Sequence, residues 1–268
     1  EFFQKKELQD ALDKKDKNKI SQVRRKGSAN KINFEQVEVP SKSEKVNMIQ
    51  LVENAKVEDI YEEWFGEGQY IDATQTSAGT EGVIREKAKL TQFPGKDDQR
   101  IATAIKIRFN SNDNQNKLIL DKNAHLWDKE KDASADLIEY YQTDDRAVMT
   151  GNAKFIQKDK KGLPQALATA QQIYYYGKGT KKAVLNGNPV VTQKDEKQKD
   201  QRIIKGDVIE YDIEKETGTA IGNAEFIDKK EETPEAKAQK IGFQKEKDND
   251  LYILQGDVEV KDKDIIIT

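Results

Sequence analysis

The sequence predicts an all-β fold made of about seven two-stranded repeats, about 14 antiparallel strands in all. Three observations carry that expectation. One short phrase returns along most of the chain, the phrase alternates apolar and polar residues, and a second strand-like phrase lies between its copies. The first phrase is clearest as "AVMTGNAKFIQ" at 147, "AVLNGNPVVTQ" at 183 and "TAIGNAEFIDK" at 219. Aligned on the residue after "GN", Ala153, Pro189 and Ala224 share a column with Val258, and weaker copies add Ala55, Ala88 and Ala124. A recurrence every 30 to 35 residues or so is the mark of a repeat architecture, in which each unit buries its apolar face only by stacking on its neighbours.

Taken in order, the chain opens with a charged segment, residues 1–27. Within it, residues 4 to 20 place only Leu8, Ala11 and Leu12 at helical spacing, which predicts a short helix or disorder. Residues 28–268 show no break in composition and read as one domain. Each unit there begins with the second phrase, a small residue followed three positions later by Ile and two further on by an aromatic ring. The pairs are Ile32 and Phe34, Ile107 and Phe109, Ile138 and Tyr140, Ile173 and Tyr175, Ile209 and Tyr211, and Ile241 and Phe243; the Ile71 copy has Ala73 in place of the ring. The first phrase then follows across turn residues. One parity of it carries Leu51, Ile84, Leu120, Met149, Leu185, Ala220 and Leu254 before the column, and Val57, Leu90, Leu126, Phe155, Val191, Phe226 and Val260 after it. All of these are apolar, while the other parity is mostly polar, broken by Val148, Val190 and Ile227. A period of two with one apolar face is a half-buried strand.

Gly151, Gly187, Gly222 and Gly256 recur two residues before the column, where a strand glycine implies a bulge, a bend or close approach of another group. A bend in a curving sheet is the expected reading. Trp64 and Phe65, in "IYEEWFGEG", are expected to cap one end of the core. The strand phrases at the two extremes of the array, "SANKINFEQVEV" and "LYILQGDVEVKDKDIIIT", predict unpaired edges open to strand addition, with Lys261 and Lys263 as the residues that would blunt one of them.

Composition sets limits on function. Charged and hydrophobic residues are each 35% of the chain, a balance that suits an elongated or repetitive body. The 46 basic and 49 acidic residues are interspersed, so no nucleic-acid footprint is expected. With no cysteine there is neither disulfide nor thiolate chemistry. No apolar run approaches the length of a membrane span and no signal-like segment precedes Glu1, so a soluble chain, or the mature part of an exported one, is expected. The single histidine, His125, sits on the outward parity beside Trp127 and cannot build a multi-histidine metal site. Asp144 with Asp145, and Asp97 with Asp98, fall in turns that favour Asp for backbone reasons. "KDEKQKD" lacks the spacing and glycine of a calcium loop. Neither an enzyme nor a cofactor or metal site is expected.

The stretches "ASADLIEYYQTDDRAVMTGNAKFIQ" and "IKGDVIEYDIEKETGTAIGNAEFI" resemble the LptA/OstA family of lipopolysaccharide transport proteins, whose units also pair a "GD-x-I-x-Y" strand with an "A-x-x-x-GNA" strand. The resemblance is specific over about residues 133 to 260, weaker over 28 to 130, and departs from the family where "GN" is missing from the first three units. It implies an open, twisted β-jellyroll whose groove carries acyl chains of lipopolysaccharide or a related glycolipid across the periplasm. It also implies head-to-tail self-association and contact with inner- and outer-membrane components through terminal strands. The groove-lining residues would then be Ile32, Phe34, Leu51, Leu90, Ile107, Phe109, Leu120, Leu126, Ile138, Tyr140, Met149, Phe155, Ile173, Tyr175, Leu185, Val191, Ile209, Tyr211, Phe226 and Phe243. The residues alone allow a second reading, a structural β-solenoid whose interior is a closed core with no ligand.

Overall fold

The computed structural model describes residues 25–39, 44–59, 63–76, 79–112, 115–179, 181–195, 197–215, 217–229, 235–245, 250–262 and 265–267. The segment expected to be a helix or disordered lies outside the described residues. Among the described residues every regular element is a β-strand, and every strand pairing is antiparallel. The chain divides into two compact units, Glu1–Asp128 and Lys129–Thr268. That division falls in the shortest interval of the repeat, between the Ala124 and Ala153 columns.

The first unit holds β1 (Arg25–Ser28), β2 (Lys31–Val39), β3 (Glu44–Asp59), β4 (Trp64–Thr76), β5 (Gly79–Gln92), β6 (Arg100–Asn112) and β7 (Gln115–Trp127). β1 and β2 both pair with β3, one at each half of that strand, and β3 through β7 then pair in sequence. The second unit begins with β8 (Lys131–Tyr141), β9 (Arg146–Lys158), β10 (Pro164–Tyr176), β11 (Lys182–Asn186), β12 (Val190–Lys194) and β13 (Asp200–Lys205). It continues with β14 (Val208–Asp212), β15 (Thr217–Asp228), β16 (Glu235–Lys245), β17 (Asp250–Gln255), β18 (Glu259–Asp262) and β19 (Ile265–Ile267).

The described strands number 19 where about 14 were expected, and the reason is local. Four of the 14 repeat arms are each cut in two, β1 with β2, β11 with β12, β13 with β14 and β17 with β18, and β19 is added by a final hairpin with β18. The halves of a cut arm lie end to end on one neighbour. β11 pairs with residues 172–176 of β10 while β12 pairs with residues 166–169 of the same strand. Pairings β10–β11–β14–β15–β13–β12–β10 thereby close a ring of six strands.

The cuts and the bends have one cause. In all seven copies the two residues just before the aligned column adopt left-handed backbone conformations: Glu53 and Asn54, Glu86 and Lys87, Lys122 and Asn123, Gly151 and Asn152, Gly187 and Asn188, Gly222 and Asn223, Gly256 and Asp257. The register shows what this does. From Met149 to Ala153 is four steps on β9, against three from Ile173 to Ala170 on β10, so the bulged strand carries one extra residue. Ala170 and Ile173 are both buried. On a flat strand three steps would put them on opposite faces, so the strand bends here and both halves turn the same side inward. The spacing of three between the small residue and Ile in the second phrase is the sequence trace of that bend.

Side-chain packing confirms the folding over. Phe155 pairs with Ala168, and Tyr175 lies seven positions further along β10, which a flat strand would place about 23 Å away. Their rings stack at 5.3 Å. Phe226, opposite Ala236, likewise meets Tyr252, opposite Phe243, at 4.2 Å. In the first unit Trp64, level with Gln92, reaches Phe109 at 5.3 Å. Each unit is therefore a sheet creased along its line of bulges, with its two half-sheets facing each other.

Candidate functional site

The interior between the half-sheets is built from cross-strand ladders. The deepest in the first unit runs Leu51–Ile71–Ile84–Ile107–Leu120, each residue directly opposite the next. Its counterpart in the second runs Ile138–Met149–Ile173–Leu185–Ile209–Ala220–Ile241–Leu254. All of these except the last are at most 2% exposed. Burial of that degree stabilises by about 1.5–3 kcal/mol for each large aliphatic side chain.

Towards the turns a ladder of rings alternates with small residues: Tyr140–Ala147–Tyr175–Ala183–Tyr211–Gly218–Phe243. The alternation is steric. Tyr211 and Phe243 stack at 6.0 Å across Gly218, where an added Cβ would collide with the Phe243 ring; Gly82 makes the same room for Phe109.

The two half-sheets meet at a seam opposite the crease. Lys131, at the start of β8, reaches Asp145, in the turn after β8, at 3.7 Å and lies 4.9 Å from the centre of the Tyr175 ring. Asp145 also accepts a hydrogen bond from the Tyr140 hydroxyl at 3.0 Å. With the Phe155–Tyr175 and Phe226–Tyr252 ring pairs, these close the interior of the second unit through side chains. Among the described residues no backbone pairing crosses that seam.

Leu51, Leu90, Ile107, Phe109, Leu120, Ile138, Tyr140, Met149, Ile173, Tyr175, Leu185, Ile209 and Phe226 are buried in the interior, and Leu126, Phe155, Val191, Tyr211 and Phe243 are half-buried. Ile32 and Phe34 differ. They continue the ladders onto β2, which pairs only with β3 among the described strands, and they stand 37% and 55% exposed beside Met48 at 46%. Trp64, expected as a cap, is buried against Phe109 inside the first unit.

Sequence reasoning missed the polar residue two places before the Ile of the last four copies of the second phrase. Asp136, Gln171, Asp207 and Gln239 lie across the bulge glycines Gly151, Gly187, Gly222 and Gly256, so closely that an added Cβ would overlap them. Asn152 donates to Asp136 at 3.0 Å, Asn223 to Asp207 at 3.2 Å, and Gln239 to Asp257 at 2.6 Å. The recurrence of Asp or Gln at that place in the second phrase was the available signal.

His125 is stacked on Trp127 at 4.3 Å. Among the described residues no group of three or more His, Cys, Asp or Glu side chains is placed to hold a metal ion. The aspartates of the turns serve the backbone: Asp195 accepts the amides of Lys197 and Lys199 at 2.8 Å, and Asp159 those of Lys161 and Leu163. Asp212 does the same for Glu214 and Lys215, and the Lys215 amide is the main reason its carboxyl is held below the usual range. The chain matches no protein-family model and no curated protein.

Proposed function

We propose that this protein is a non-enzymatic periplasmic carrier that shelters acyl chains of lipopolysaccharide or a similar glycolipid between its half-sheets. In this reading the creased sheet is an open, twisted β-jellyroll of the LptA/OstA kind, and its units form part of a bridge between the inner and outer membranes. The observation that carries the proposal is the seam. An apolar interior runs along each unit, and in the second unit the described contacts across its seam include the ring pairs, the Lys131–Tyr175 contact and a partly exposed ion pair, the last an interaction worth roughly 1 kcal/mol or less. Parting the half-sheets there breaks no described backbone hydrogen bond. The repeat phrase shared with the family adds its weight.

A second reading, a structural β-solenoid with a permanently closed core, is favoured by the near-zero exposure of the deepest ladder. Photo-crosslinking separates the two. Probes at Phe155 and Tyr175 are expected to capture labelled lipopolysaccharide while one at outward Lys154 does not. Equal capture at all three positions, or none at Phe155 and Tyr175, rejects the carrier.

A further inference from the structure

The crease has an outer side, and in the first unit it is not filled. A furrow of about 650 Å³ runs there across β3 to β7, along the line of the column residues Ala55 and Ala88 and of Ala104, which pairs with Ala88. That size is typical of small-ligand sites. In the second unit the equivalent line is occupied by Asp136, Gln171, Asp207 and Gln239 lying across bare glycines. In the first unit the leading bulge residues are Glu53, Glu86 and Lys122, whose side chains deny the neighbouring strand that bed. On β6 the corresponding residue is Ile105, which stands in the furrow 47% exposed. An exposed isoleucine at the place where the repeat otherwise puts an amide or carboxylate leaves this part of the furrow apolar.

Among the residues lining the furrow, Lys56, Lys87 and Lys89 stand against Glu67. Lys89 is matched by Glu67 at 3.1 Å, but Lys56 and Lys87 have no carboxylate at ion-pair distance among the described residues. Two ammonium groups without an ion-pair partner among the described residues, over β3 and β5, with exposed Ile105 beside them, complement a ligand that has an anionic head and an aliphatic body. We propose that this furrow binds a single-chain amphiphile carrying a carboxylate or phosphate head. The furrow lies on the solvent side of the sheet and stands apart from the interior proposed above.

Calorimetric titration of the full chain with laurate and with dodecyl phosphate, each below its micelle concentration, tests the proposal. One bound molecule per chain is expected, and the tighter of the two identifies the head group. Ile105→Gln, which installs the residue type found at Gln171, is expected to weaken binding about tenfold, as is the double change Lys56→Gln with Lys87→Gln. Neutral dodecyl maltoside is expected to bind at least about tenfold more weakly than the anionic probes. Both variants alter exposed side chains, and thermal melts matching the parent establish that they fold. No binding by the parent chain, unchanged affinity in both variants, or equal binding of the maltoside overturns the proposal. Lipid capture at Phe155 is expected to be the same in both variants, so the two sites stand or fall separately.

Discussion

At the scale of the residue, the bulge pair explains most of what is unusual in this chain. A left-handed conformation costs an ordinary L-residue about 1–2 kcal/mol and glycine very little. Gly151 and Gly222 carry a second requirement, because Asp136 and Asp207 lie over them. Gly151→Ala is therefore expected to cost at least about 1–2 kcal/mol in urea unfolding, combining backbone strain with displacement of Asp136. The two causes can be separated. Adding Asp136→Ala to Gly151→Ala removes the overlap, so the double variant should be less destabilised than the sum of the single ones. Strict additivity would mean that the Asp136 contact has no energetic weight. In the first unit the same conformation is held by Glu86 with Lys87 and by Lys122 with Asn123, so that unit bears the strain that glycine relieves in the other.

At the scale of the element, each arm is a bent strand or a strand cut in two at the bend, with one side of both halves turned to the interior, and the ladders are the unit of its stability. Met149 sits at 0% exposure between Ile138 and Ile173, whereas Lys154, five residues on, is exposed. Met149→Asp would leave a carboxylate in an apolar ladder with no partner to receive it, at a cost of about 3 kcal/mol or more. Lys154→Asp is expected to stay within about 0.5 kcal/mol of the parent. Thermal melts of the two compare them directly, and similar shifts would undo the assignment of faces. The polar parity has apolar exceptions that the pairing explains in part: Val148 and Val184 flank Tyr174 on neighbouring strands, forming an aliphatic and aromatic patch on the outer face.

At the scale of the whole molecule, the ends of the array matter most. β2 pairs with β3 alone among the described strands, and Ile32 and Phe34 of β2 and Met48 of β3 are exposed. At the other extreme Leu251 and Ile253 of β17 are 45% and 53% exposed. Edges with apolar side chains and free backbone groups favour strand addition by another copy, a contact that propagates rather than closes. Light scattering over a wide concentration range is expected to show linear oligomers that grow with concentration. Val260→Pro, which removes a donor from the ladder with Ala236 and Ile267, and Phe34→Asp, which charges the open edge, should each weaken them. A strict monomer at all concentrations, or oligomers unchanged by both substitutions, would remove end-to-end pairing from the account.

Periodicity alone determined the repeat, the all-β class, the two arms per unit and the residues that fill the deepest ladders, because alternation along a strand is local and survives in the order of residues. The odd spacing of Ala170 and Ile173 and the recurring "GN" were also legible as marks, but their meaning was not. An extra residue on one arm becomes a bend only when its partner arm supplies the register against which it is extra. Tertiary structure alone decided which side the crease faces, that Phe155 meets Tyr175 and Lys131 meets Asp145 across a seam, and that Ile105 stands exposed where Gln171 lies folded over glycine. Those contacts join residues whose positions in sequence carry no shared period, and only the folding of the sheet onto itself brings them within reach.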